Sequence, residues 1–184
     1  MQVRLDDLMY WVIPGMLAGM QQPFVHPGRR RNHGGDLMCR NDHLPILHAA
    51  GVRAFVSLLD DFTDAPVYLS AGFEFLHLPV AVRKAPTFHQ AHEAIAFIHR
   101  QRSKQRAVAV YCDAGLGRTG TLLAAYLISE GETAEGAIAR VRKAQKVAVE
   151  TPRQTRFLYE FAAMRGYCTL RAPRREARAW SLSG

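Results

Sequence analysis

Residues 107–121 read Ala-Val-Ala-Val-Tyr-Cys-Asp-Ala-Gly-Leu-Gly-Arg-Thr-Gly-Thr. The unbroken apolar run 107–112, rich in valine, has the pattern of a central parallel strand buried on both faces. Residues 122–128, Leu-Leu-Ala-Ala-Tyr-Leu-Ile, have the composition of a buried helix. A glycine-bearing loop joins the two, so the order is strand, loop, helix. That order places Cys112, the backbone amides of the loop and Arg118 in one small volume.

The physical chemistry of that volume suits a dianionic phosphate. Backbone N–H groups at a helix N-terminus form a nest that binds phosphate oxygens. The substrate-holding residues expected on this basis are Asp113, Ala114, Gly115, Leu116, Gly117 and Arg118. A thiol in the same field is expected to fall from about 8.5 toward roughly 3.5–7.5, which makes the thiolate available as a nucleophile at neutral pH. The planar guanidinium of Arg118 suits two phosphate oxygens at once. The hydroxyl of Thr119 is placed to donate to the sulfur and help it leave.

Spacing alone carries little weight. Cys168 also has an arginine six residues on, Arg174, in a chain with 24 basic residues. The segment Cys168-Thr-Leu-Arg-Ala-Pro-Arg174 has no glycine, contains a proline and precedes no apolar helix. The strand, glycine loop and helix around Cys112 separate the two.

Cys112 to Arg118, followed by Thr119-Gly120-Thr121, resembles the signature loop of the cysteine-based protein tyrosine phosphatases. The chain is most similar to the small atypical members of the dual-specificity branch. Residues 51–59, Gly-Val-Arg-Ala-Phe-Val-Ser-Leu-Leu, resemble a helix-end glycine and the strand after it; residues 73–79 resemble the strand leading to the acid loop. Residues 150–154, Glu-Thr-Pro-Arg-Gln, resemble the segment that positions the hydrolytic water, which implies that role for Gln154. Gln154 also stands three residues after Thr151, where a capping-box glutamine belongs. The resemblance spans roughly residues 10–165. It implies a single α/β domain, a central mostly parallel sheet flanked by helices, and phosphomonoester hydrolysis through a phospho-cysteine on phosphotyrosine and phosphoserine or phosphothreonine.

Two departures stand out. The family usually has histidine before the cysteine, where this chain has Tyr111. The family also carries an aspartate shortly after a Leu-Pro pair, here Leu78-Pro79, yet no aspartate lies between Asp64 and Asp113. A displaced general acid is therefore expected. Asp61 is the first candidate and Asp60 the second, because both follow strand 53–59 at the carboxyl edge of the sheet, where ligands of open α/β sheets bind. Glu150 is the third.

The rest of the chain fits one domain of 184 residues. Two short strands, Tyr10–Ile13 and Leu17–Met20, flank Pro14-Gly15, and residues 21–36 are loop. A helix is expected over 42–50, a strand over 53–59, a polar loop bearing Asp60, Asp61 and Asp64, and a strand over 73–79. Thr87 and Gln90 mark a capping box for a helix over 88–103. Helices over 118–130, from Thr133 to about 144, and from Pro152 to about 165 follow, then a basic tail, 166–184.

No apolar stretch is long enough to span a membrane, and Asp6 and Asp7 stand where a signal peptide would be basic. Three scattered cysteines do not make a disulfide framework, so a reducing cytoplasm is expected. The histidines show no metal-ligand spacing, so no metal or cofactor is expected. The net charge of +8 invites acidic partners, first among them phosphorylated protein or another phosphomonoester; arginine-rich composition makes nucleic acid the weaker reading. His26, His33 and Arg29–Arg31 are candidates for a substrate-choosing rim, and Cys39 for a redox partner of Cys112. An inositol-phosphate or phosphoinositide phosphatase, a sulfurtransferase and a non-catalytic phospho-binding module are the alternatives.

Overall fold

The computed structural model describes residues 5–23, 43–61 and 65–171. A five-stranded sheet has the order β1-β2-β5-β3-β4. Its strands are β1 (Met9–Ile13), β2 (Leu17–Gln21), β3 (Val52–Ser57), β4 (Glu74–His77) and β5 (Ala107–Cys112). β1 and β2 form an antiparallel hairpin, while β2–β5, β5–β3 and β3–β4 are parallel. The sheet is thus mixed and mostly parallel, and β5 lies at its centre as its apolar run predicts.

Every residue of β5 is buried, and its alternation divides the core. Val108, Val110 and Cys112 face one layer with Leu122, Leu123 and Leu127. Ala107, Ala109 and Tyr111 face the other, with Phe55, Tyr68 and Phe73. The helices are α1 (Leu5–Leu8), α2 (His43–Ala49), α3 (Ala65–Ser70), α4 (Phe88–Ser103), α5 (Gly117–Ser129), α6 (Ala134–Ala144) and α7 (Pro152–Arg171). In α5 the residues from Gly117 to Ile128 are all buried. Full burial of each leucine or isoleucine there contributes roughly 1.5–3 kcal/mol, so this helix is held by packing rather than propensity.

Element bounds differ from the expectations in detail. α3 and α1 were not expected: Ala-Pro-Val-Tyr-Leu-Ser is too short for periodicity to reveal. α7 runs to Arg171, beyond the expected end near 165. The rim candidates His26, Arg29–Arg31 and His33, along with Cys39, Asp64 and Arg174, lie outside the described residues, as does the side chain of Cys168.

Candidate active site

Parallel β5 delivers Cys112 to the carboxyl edge of the sheet, buried and not in a disulfide. The loop 113–116 then turns into α5, whose first turn, Gly117 to Gly120, is buried. No side chain caps this N-terminus. A helix start leaves up to four N–H groups without intrahelical partners, and no side chain supplies one here. Such a start suits an anion.

The loop is shaped from the β1–β2 side. Gly115 has φ +74, a left-handed conformation, and a Cβ there would sit 2.5 Å from the backbone of Met20 and Gln21. The carbonyl of Asp113 accepts from Gln22 N at 3.1 Å, and that of Gly115 accepts from the Tyr10 hydroxyl at 2.7 Å. Burial, and then the negative charge of Cys112, push the Tyr10 phenol well above its ordinary range, so it remains a protonated donor.

Arg118 crosses to the edges of β3 and β4. Its side chain is only 6% exposed, so it needs partners. Nη1 donates to Leu58 O at 3.1 Å, Val80 O at 2.8 Å and Asp60 Oδ1 at 2.7 Å. These bonds all leave from one nitrogen, so the Nε–Nη2 edge remains for two parallel bonds to phosphoryl oxygens. Asp60, the second-ranked acid candidate, is thereby engaged in orienting the guanidinium.

The opposite wall comes from residues 148–154. Val149 has φ 57, strained for a β-branched residue by on the order of 1–3 kcal/mol. Arg142 braces this turn, donating from Nε to Ala148 O and from Nη2 to Val149 O, both at 3.0 Å. The turn sets Glu150 against the loop: a Cβ on Gly117 would overlap Glu150 Oε2 and lie 2.9 Å from Gln154 Nε2. The carboxylate brought to Gly117 is therefore Glu150, expected third, whereas Asp61 is an exposed residue of the loop after β3. Gln154 completes the expected capping box, with Thr151 N donating to Oε1 at 3.1 Å and Gln154 N donating to Thr151 Oγ1 at 3.2 Å. Its Nε2 donates to Lys84 O at 3.1 Å, so both of its polar side-chain atoms already carry bonds.

Thr119 is fully buried, and its hydroxyl has no hydrogen-bond partner. The expected bond to the Cys112 sulfur is not formed in this arrangement, and the hydroxyl stays unspent in the first turn of α5. Tyr111 packs its ring near Phe55, Tyr68 and Phe75, on the face of the sheet away from Cys112. Among the described residues there is no cluster of metal-ligating side chains and no helix long and apolar enough to cross a membrane.

Comparison with known proteins decides the family. The family model described as "Tc-R-P: Polymorphic toxin system, DSP-PTPase phosphatase" matches residues 33–132. The chain belongs to this family. It is a small member, of dual-specificity type, of the cysteine-based protein tyrosine phosphatase superfamily. Dual specificity protein phosphatase CDC14AB of Danio rerio is 32% identical over 145 residues, which is 78% of this chain and 23% of that protein. Phosphatidylglycerophosphate phosphatase PTPMT2 of Arabidopsis thaliana is 29% identical over 126 residues, 66% of this chain and 55% of that protein. The chain thus spans less than two thirds of either relative. The crystal structure of a Tk-PTP variant superposes with a TM-score of 0.72 at 25% identity, covering 89% of this chain and 99% of that one.

Sequence reasoning missed Tyr10, the carbonyls of residues 80–84 and the Arg142 brace. A tyrosine facing a glycine across the first hairpin was the available signal for Tyr10.

Proposed function

We propose that the chain hydrolyses phosphomonoesters through a phospho-cysteine, acting on phosphotyrosine and on phosphoserine or phosphothreonine. The observation that carries the reading is the buried, uncapped start of α5, with Cys112 before it and, in its first turn, Arg118 anchored through Nη1 alone. The Cys112 thiolate attacks phosphorus, the S–P bond forms and the P–O ester bond breaks. Arg118 and the amides of 113–118 hold the phosphoryl oxygens throughout. Glu150 gives its proton to the leaving oxygen, then takes one from the water that attacks the phospho-cysteine. The S–P bond breaks, inorganic phosphate leaves, and Thr119 donates to the returning thiolate. Gln154 braces the wall that carries Glu150. Thiolate chemistry needs a reducing compartment, which supports the cytoplasm as its setting.

The test is turnover of an aryl phosphate such as p-nitrophenyl phosphate. The native chain turns it over, and Cys112→Ser loses at least about a hundredfold, because the hydroxyl is the weaker nucleophile at neutral pH. Native turnover that survives in Cys112→Ser rules out the covalent route. A chain that binds phosphate but does not turn over is a phospho-binding module.

A second reading, a lipid phosphomonoester, has one structural observation in its favour. Arg83 and Lys84 are exposed on the loop that meets Thr151 and Gln154, which places cationic side chains next to the Glu150 wall. Rates on a phosphopeptide against phosphatidylglycerophosphate in mixed micelles separate the two.

A further inference from the structure

The hairpin β1–β2 contributes no residue to the chemistry proposed above, yet it holds the loop that does. The carbonyls of residues 113 and 115 both turn toward this hairpin, one to Gln22 N and one to the Tyr10 hydroxyl. No peptide bond among the described residues is cis, and in a trans peptide the N–H points opposite to the C=O. Pinning these two carbonyls outward therefore turns the N–H groups of Ala114 and Leu116 the other way, toward the hollow of the loop. The bond from Gln22 is backbone and independent of side chain. The bond from Tyr10 depends on one hydroxyl.

That hydroxyl reaches Gly115 only because of what lies opposite. Tyr10 pairs with Gly19 across the hairpin. A Cβ on Gly19 would overlap the Tyr10 ring at Cζ and at the hydroxyl, and lie 2.7 Å from Cε2. The phenol thus lies flat over a glycine, on the same face of the sheet as Val110 and Cys112, since Gly19 pairs with Val110. At the left-handed turn, a Cβ on Gly115 would meet the backbone of Met20 and Gln21 of the same hairpin, so only glycine lets the loop approach it this closely.

We propose that Tyr10, laid across Gly19, is a positioning residue that orients the Gly115–Leu116 peptide and thereby sets the affinity of the loop for the phosphoryl group. It touches neither substrate nor sulfur in this role and acts through the peptide. The inference rests on the phosphoryl-binding reading of the loop and names a residue outside the loop that the reading requires.

The experiment uses the full chain as native, Tyr10→Phe, Gly19→Ala and the double variant. Three quantities are read: kcat on p-nitrophenyl phosphate, the inhibition constant of orthovanadate, and the melting temperature. Tyr10→Phe keeps the ring and removes one hydrogen bond, so kcat and orthovanadate affinity each fall on the order of tenfold, while the melting temperature falls by only about 2–4 °C, the cost of one hydrogen bond. Gly19→Ala pushes the phenol off Gly115 and reproduces the loss of orthovanadate affinity. In the Tyr10→Phe background the same Gly19→Ala change costs no further affinity, because the bond it breaks is already gone. If Tyr10→Phe keeps kcat and orthovanadate affinity within twofold of native, the inference is overturned whether or not Gly19→Ala folds. If the native chain neither turns over aryl phosphate nor binds orthovanadate, the underlying reading of the loop fails first.

Discussion

Two helices begin beside one another at the cradle, and they begin in opposite ways. α7 opens on Thr151 and Gln154, which close its start with reciprocal hydrogen bonds. α5 opens on a buried turn that no side chain caps. α4 and α6 follow the first pattern, with Thr87 and Gln90 in one case and Thr133 in the other. A helix start completed by its own sequence serves the fold. One left open at the end of the central strand, with a thiol before it and a buried guanidinium after it, suits an anionic ligand. The open start costs stability that the apolar body of α5 offsets by packing, so the two ends of α5 have different tasks.

The largest expected difference between the two starts lies in the carboxylate that joins them. Glu150 belongs to the turn that begins α7, but it faces Gly117 of α5. Glu150→Gln keeps the shape and removes the proton. On esters with poor leaving groups the rate should fall roughly 10²–10⁴-fold, the range for general acid catalysis. Esters with good leaving groups should be much less affected in the first step, and the alkaline limb of the pH–rate profile should disappear. Asp61→Asn is the control that sharpens the assignment. If Asp61→Asn removes the limb and Glu150→Gln does not, the acid lies in the loop after β3.

Arg118→Lys breaks the comparison from the side of α5. Charge is kept, but an ammonium cannot bridge Val80 O, Leu58 O and Asp60 while also presenting a planar edge to phosphate. The expected loss is about 2–4 kcal/mol in transition-state stabilisation, by analogy with removal of an oxyanion-hole donor. The measurement is kcat/KM on an aryl phosphate. A value within threefold of native would remove Arg118 from the phosphoryl site.

These contrasts explain what the sequence made legible. The strand, glycine loop and buried helix around Cys112 could be read directly, because each depends on residue type: valine runs, positive φ at Gly115, the thiol and the guanidinium. The capping boxes at Thr87 and Thr151 were legible for the same reason. The carboxylate beside the cradle was not. The ranking of acid candidates rested on chain position after a strand, while the approach of Glu150 to Gly117 depends on the turn at Val149 and on the Arg142 brace, whose bonds are to backbone carbonyls and leave no mark in composition. The loop after β4 was opaque likewise. It presents carbonyls of Val80, Arg83 and Lys84 to Arg118, Thr151 and Gln154, and any residue supplies a carbonyl. Alternation along β5 turns Tyr111 away from Cys112, and its aromatic neighbours lie on that other face.

Gln154→Ala should have a mixed effect. It removes the side-chain half of the capping box and leaves Lys84 O without its donor. Loss of a cap costs about 0.5–2 kcal/mol, and the unmet carbonyl adds to that. Chemical denaturation should show the destabilisation. Aryl phosphate turnover should fall less than in Glu150→Gln, because Glu150 is still held by the Arg142-braced turn. A loss of turnover equal to that of Glu150→Gln, without a loss of stability, would instead put Gln154 on the hydrolytic water.

The smallest expected effect belongs to a cap that serves only the fold. Thr133 Oγ1 accepts from Gly136 N at 3.1 Å at the exposed start of α6. α6 follows the far end of α5, and the 13 residues of α5 put about 20 Å between its two ends at 1.5 Å per residue. Thr133→Ala should therefore cost about 1 kcal/mol of stability, which lowers the melting temperature by about 2–4 °C in a domain of this size. Turnover per folded molecule should match native. A tenfold drop in kcat from Thr133→Ala, with the fold intact, would mean that the two kinds of helix start are coupled through α5, and the separation of tasks drawn here would have to be given up.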